Sequence, residues 1–142
     1  MLNAGPWFEG VRAVSEPEEN YLARAFRDVD AGANRKVAHC LRCLEALPSF
    51  RSYKHQMLEA MNPQPGQVTA DLGCGLGFDV LRLASRVGPN GRALGVDASV
   101  AFLEEVRLTT HHSAAVEWTH ADIQQLPFPE GSLHSCQVDR TP

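Results

Sequence analysis

The stretch Val68-Thr69-Ala70-Asp71-Leu72-Gly73-Cys74-Gly75-Leu76-Gly77-Phe78-Asp79 decides how the rest of the chain is read. A β-prone run ends in an acidic residue, and three alternate glycines lead into a helical pattern. Glycine lets a backbone approach a ligand where a Cβ would collide, and a helix start offers unpaired amides. Ordinary turns and nucleotide sites both use such a segment, so two acids further on carry the discrimination. Asp97 ends a second strand pattern, 97 − 77 = 20 residues after the last glycine. A carboxylate at that spacing accepts ribose hydroxyls. Asp122 follows a third strand pattern, where a carboxylate can accept the exocyclic amine of an adenine.

The competing reading is a nicotinamide dinucleotide, whose G-x-G-x-x-G/A fingerprint keeps its last position small for tight helix packing. Here that position is Phe78, and Asp71 would repel an approaching pyrophosphate. A cationic ammonium would be welcomed instead. A ligand with an ammonium at one end, a ribose in the middle and an adenine beyond is S-adenosylmethionine. An NAD(P)-binding protein remains the less favoured alternative.

Outward from this segment, two regimes meet near residue 65. Residues 1–65 form an N-terminal helical segment and residues 66–142 a cofactor-binding half, together one domain. In the first, Ser15-Glu16-Pro17-Glu18 resembles a capping box that starts a helix reaching about Asp30. A second helix runs to Leu47, and Pro48 opens a third, with Phe50, Tyr53, Met57 and Met61 on one face. After Gly66 come a strand at 67–72 and a helix over Phe78–Val87 with Leu81, Ala84 and Val87 inward. A strand at 92–96 is followed by a helix capped by Ser99 and reaching about Thr110. Strands at 115–119 and 132–138 complete the pattern. Strands separated by helices of this length predict right-handed crossovers and an α/β fold with a Rossmann-like parallel sheet.

Composition bounds the function classes. The 142 residues are 44% hydrophobic, enough to fill a core. Lys plus Arg is 13 and Asp plus Glu is 17, a formal charge of −4. That balance argues against a nucleic-acid partner held by bulk positive charge. No run approaches a membrane span and the N-terminus shows no leader pattern, so a cytoplasmic, reducing location is expected. Cys40-x-x-Cys43 invites a metal or redox reading, but it lies in a helical pattern without a second pair, and the expectation is packed helix cysteines with no metal. His111-His112 suits a helix end, and Trp118 reads as packing.

With these residues in view, the sequence resembles the class I S-adenosylmethionine-dependent methyltransferases, especially the small-molecule enzymes of ubiquinone and menaquinone biosynthesis (methyltransferase type 11). The resemblance lies in ADLGCGLG (70–77), GVDAS (95–99), ADI (121–123) and LPFPEGSL (126–133), with Tyr53-Lys54 and PQPGQ (63–67) as the lead-in. It implies a sheet order of 3-2-1-4 for the part present. It also implies that Asp71, Gly73 and Cys74 hold the methionine end and that Gly75 and Gly77 give the cofactor room. Asp97 would take the ribose, Ala98 and Phe102 would line the adenine, and Asp122 with Ile123 would read its edge. Tyr53 and Lys54 would turn towards the cofactor carboxylate, while Asp139 and Arg140 fall where the family places its methyl-transfer chamber. Trp7 and Phe8 either cover the cofactor or fray.

The implied activity is direct methyl transfer to a small-molecule acceptor, with no membrane partner. No residue is assigned as a general base. The family fold has a seven-stranded sheet, and this chain covers its N-terminal half. A truncated half of this kind is expected to pair through its fourth strand, with a second copy or a partner chain. The alternative is a non-catalytic S-adenosylmethionine-binding module that needs a partner.

Overall fold

The computed structural model describes residue 30, residues 34–110 and residues 115–139. The Ser15 capping box, the helix ahead of Asp30, Trp7, Phe8, His111-His112 and Arg140 lie outside the described residues. Two helices come first, α1 (Asn34–Ala46) and α2 (Pro48–Met61). Pro48 starts α2 because its missing N–H would be unpaired there in any case. Asn62 ends it in the left-handed region (φ 47°), with its N–H donated to the Leu58 carbonyl. Then follow β1 (Val68–Leu72), α3 (Phe78–Val87), β2 (Arg92–Asp97), α4 (Val100–Thr109), β3 (Val116–His120) and β4 (Ser135–Val138). The four strands form one parallel sheet of order β3-β2-β1-β4. This is the expected Rossmann-like order. Among the described residues no helix is long and apolar enough to cross a membrane.

Alternation along the strands divides the core. Ala93 faces one side of the sheet with Val80, Leu83, Leu103 and Val106 of the covering helices. Ala70, Leu72, Leu94 and Val96 face the other, under Ile123, Leu126 and Phe128 of the β3–β4 connection. A third cluster seats Val37 and Ala38 of α1 against Leu76 and Phe102. The N-terminal helices thus share apolar contacts with the sheet half.

Several boundaries differ from the sequence reading. The fourth strand runs only from Ser135, because the Ser132 N–H first closes a turn onto the Pro129 carbonyl, and the His134 N–H makes the first bond to β1, at the Val68 carbonyl (2.9 Å). Leu81 points outward (40% exposed), and Val80, Leu83, Ala84 and Val87 form the buried stripe of α3. On α2 the buried positions are Lys54 and Leu58, while Tyr53 is exposed. Cys43 is exposed too, its sulfur 3.5 Å from His39 Nε2 one helical turn away, and Cys40 is half-buried.

Trp118 explains two glycines. Gly95 is its partner in the β2–β3 register, and a Cβ there would enter the indole and crowd Val80. A Cβ on Gly77 would strike the far edge of the same ring, and Gly77 also sits at φ 74°. Gly95→Ala should therefore lower stability by about 1–3 kcal/mol through overpacking. In a Trp118→Leu background that cost should shrink, whereas Gly77→Ala should keep a cost from its backbone conformation. Urea unfolding of the four combinations checks this, and an equal Gly95→Ala cost in both backgrounds would contradict it.

Candidate cofactor site

The parallel strands all deliver their carboxyl ends to one edge, where ligands of open α/β sheets bind. At the end of β1, Asp71 is buried (4% exposed). Its Oδ1 accepts a hydrogen bond of 3.1 Å from the neutral amide of Gln137 in β4. Burial raises its pKa from 3.8 to about 7, and neighbouring Asp79 adds to the rise. A carboxyl so placed gains from an arriving cation.

The glycine segment is then stitched to β2. The N–H groups of Gly73 and Cys74 donate to the Val96 carbonyl at 2.7 and 2.9 Å. The Gly75 N–H donates to Asp97 Oδ2 at 2.8 Å, and the Ser99 N–H to Asp97 Oδ1 at 2.8 Å. Asp97 is thereby fixed in orientation, and the Ala98 N–H adds to these donors. Burial lifts its pKa and the nearby Asp30 adds to that, against the lowering effect of the backbone donors. Burial also pushes the Cys74 thiol up, so it is an unreactive packing group.

Further along the edge, the Ala121 N–H donates to the Asp97 carbonyl at 3.1 Å, bringing the 121–123 segment to β2. Asp122 is exposed, and its Oδ1 accepts from the Gln124 N–H at 2.8 Å. Ile123 packs against the lower core, and Ala98 is exposed with its carbonyl 3.1 Å from His120 Nε2. Phe102 is 4% exposed and lies among Val37, Ala38 and Leu76. The room attributed to two glycines needs correction. The space beside Gly77 is filled by Trp118, and a Cβ on Gly75 would meet Leu41 Cδ1 at 3.3 Å. Both serve close packing of the protein against itself.

A second corner forms where α2 meets β4. The Tyr53 hydroxyl donates to Asp139 Oδ1 at 2.8 Å, and the Lys54 ammonium donates to Asp139 Oδ2 at 2.6 Å and to Asp79 Oδ2. Arg82 pairs with Asp79 at 2.8 Å and with Glu45. Burial disfavours the charged form of Lys54, but its two carboxylate partners outweigh this and hold its pKa above the ordinary value. Tyr53 and Lys54 thus turn to Asp139 and Asp79.

Sequence reasoning missed Asp79, Gln137 and Asp30. An acid on the first turn of α3 was a legible signal for Asp79. Asp30 gave none: its carboxylate crosses to the start of α4, accepting from Ser99 Oγ at 2.6 Å and from the Val100 N–H at 2.9 Å. The Ser99 bond is the chief cause of its lowered pKa.

Residues 70–138, which hold Asp71, Asp97 and Asp122, match the family described as a methyltransferase domain. Over that segment the chain is similar to the class I methyltransferases. A 37.1 kDa protein in transposon TN4556 of Streptomyces fradiae is 37% identical over 129 residues, covering 91% of this chain and 37% of that protein. The 2-phytyl-1,4-naphtoquinone methyltransferase of Trichormus variabilis is 33% identical, over 66% of this chain and 42% of the enzyme. Among solved structures, an S-adenosylmethionine-dependent methyltransferase from Aquifex aeolicus superposes with a TM-score of 0.54 at 18% identity, covering 60% of this chain and 46% of that one. The likeness to it is one of fold. The chain spans less than half the length of each of these proteins.

S-adenosylmethionine, the cofactor of the class I methyltransferases, fits the donor set at this edge. A buried carboxyl without full charge stands at β1, and an oriented carboxylate stands 22 residues after Gly75, at Asp97. The strain at Asp71 is measurable without any ligand. Its folded pKa of about 7 lies above its ordinary 3.8, so the folded chain binds the extra proton between those values. Its contribution to stability therefore falls as pH rises through about 4 to 7. Asp71→Asn should be more stable than the parent at pH 8 by about 1–3 kcal/mol, with the gain fading towards pH 4. Thermal unfolding across pH checks it; a gain that grows at low pH would contradict the assignment.

Proposed function

We propose that this chain is the cofactor-binding half of an S-adenosylmethionine-dependent enzyme that methylates a small molecule. The observation that carries the reading is the pair Asp71 and Asp97, one short of positive charge and the other oriented by the glycine segment. Asp71 and the Gly73 carbonyl bind the methionine ammonium, and Cys74 packs beneath them. The Asp97 carboxylate accepts the ribose hydroxyls. Asp122 and the Ile123 N–H read the adenine edge, with Ala98 beside it and Phe102 supporting that wall from the core. Bound there, S-adenosylmethionine supplies an electrophilic methyl group on a positively charged sulfur.

The protein's own contribution is alignment and exclusion of water. Helix α2, anchored through Lys54 to Asp79 and Asp139, forms a wall at the methionine end. Asp139 leaves β4 at the place where an acceptor would meet that wall. The quinone methyltransferase similarity supports a small-molecule acceptor. The acceptor pocket falls to the part of such proteins that this chain does not span. β4 is the outer strand of the described sheet, and a further strand beside it, from a partner chain or a second copy, would complete that wall.

Calorimetry with S-adenosylmethionine and S-adenosylhomocysteine tests the reading. Both should bind, and NADH should not. Asp97→Ala should weaken binding about 10- to 100-fold, the range for hydrogen bonds to a charged group. Because the ligand ammonium favours ionised Asp71, binding near pH 6.5 should release protons, seen as a dependence of the heat on buffer ionisation enthalpy. Affinity should rise with pH through about 7. NADH binding without S-adenosylmethionine binding would overturn the proposal.

A further inference from the structure

Lys54 occupies a core position of α2, its side chain 5% exposed. From there the ammonium donates to Asp79 on α3 and, at 2.6 Å, to Asp139 beyond β4. The rings of Phe50 and Tyr53 flank it, with centroids at 5.5 and 5.8 Å. Asp71 at the end of β1 lies within electrostatic reach of the same group. Lys54 from α2, Asp79 from α3 and Asp139 after β4 all act on its charge, and Gln137 of β4 is its hydrogen-bond donor. Arg82 holds the outer side of Asp79. Two carboxylates therefore hold one buried ammonium, and a third, Asp71, feels its charge. A buried ion pair seldom returns net stability, so its presence is better explained by what it arranges.

We propose that Lys54 is a positioning residue for the cation site at Asp71: by holding the charges of Asp79 and Asp139 to itself, it lets Asp71 ionise and receive the cofactor ammonium. The inference rests on the cofactor reading above and deepens it. Lys54 acts through Asp71, not through the cofactor carboxylate that the sequence resemblance pointed to, because its donors are directed to two carboxylates. The signs follow from the geometry. Asp79 and Asp139 push the Asp71 pKa up, and Lys54 pulls it down. Removing the ammonium must move Asp71 further up, and removing the Asp139 charge must move it down.

The test follows the Asp71 carboxyl carbon by NMR titration of the full, unliganded chain, together with calorimetric affinity for S-adenosylmethionine from pH 6 to 9. Lys54→Met should raise both midpoints by about one pH unit or more, the usual effect of one nearby charge. Lys54→Arg should restore them, and Asp139→Asn should lower them. A merely structural Lys54 would weaken binding equally at every pH and leave both midpoints in place, and that result overturns the proposal. Shifts of Lys54→Met and Asp139→Asn in the same direction overturn it too. Should Lys54→Met not fold, Asp139→Asn still decides, since an unmoved or raised midpoint refutes the inference. If the Asp71 titration shifts as stated while S-adenosylmethionine binds no variant and not the parent, the cofactor reading fails and the control of Asp71 by Lys54 stands.

Discussion

A carboxyl group buried at the end of the central strand sets the terms for the surrounding structure. Asp71 lies buried between β2 and β4, with Lys54 of α2 and Asp79 of α3 acting on its charge. Burying a carboxylate without a full partner is unfavourable by several kcal/mol, so the chain holds it near half-protonation. The neighbours temper the charge without cancelling it. Gln137 offers a neutral donor, and Lys54 gives its ammonium to Asp79 and Asp139. A site that withholds a counter-ion is one where a cationic ligand gains the most, and ligand binding then stabilises the fold by mass action.

The glycine segment has a second constraint, set by packing. Its backbone must close over β2 to give Asp97 the Gly75 N–H, and α3 must start at once to cover the sheet. Trp118 fills the angle between them. Its indole lies over Gly95 and reaches Gly77, so the first turn of α3 can approach β2 only where side chains are missing. The ring comes from β3, the strand farthest from β4 in the sheet. Loop shape, strand register and the orientation of Asp97 are therefore mutually dependent, and a change at Trp118 reaches the ligand edge without touching a ligand.

Much of this was legible in the sequence, for definite reasons. Strand and helix alternation after Gly66, the Pro48 start and the Ser99 cap are local signals, and the structure follows them within one or two residues, apart from the late start of β4. Asp71 and Asp97 were legible because their positions follow from strand ends. The rest depended on distance. Lys54 reads as a polar residue beside an apolar face, and only partners 25 and 85 residues away make it a core residue. Asp30 reaches Ser99 across 69 residues, and Trp118 meets Gly77 from another strand. Leu81 was placed inward by periodicity alone, but the stripe that α3 buries is centred on Val80, Leu83, Ala84 and Val87.

The two corners of the site differ in how complete they are, and the sheet order explains why. At the edge of β2 and β3, donors come from backbone groups already fixed by the ladder and by α4. At the edge of β1 and β4, β4 is paired on one side only within the described sheet. There the chain relies on side chains for rigidity: Lys54 and Tyr53 both hold Asp139, tying the exit of β4 to α2. The strength of that tie depends on local dielectric, since the same ion pairs are worth little in water and much when covered. A strand or chain laid along the outer side of β4 would therefore also dry the Lys54 cluster and strengthen its hold on Asp139.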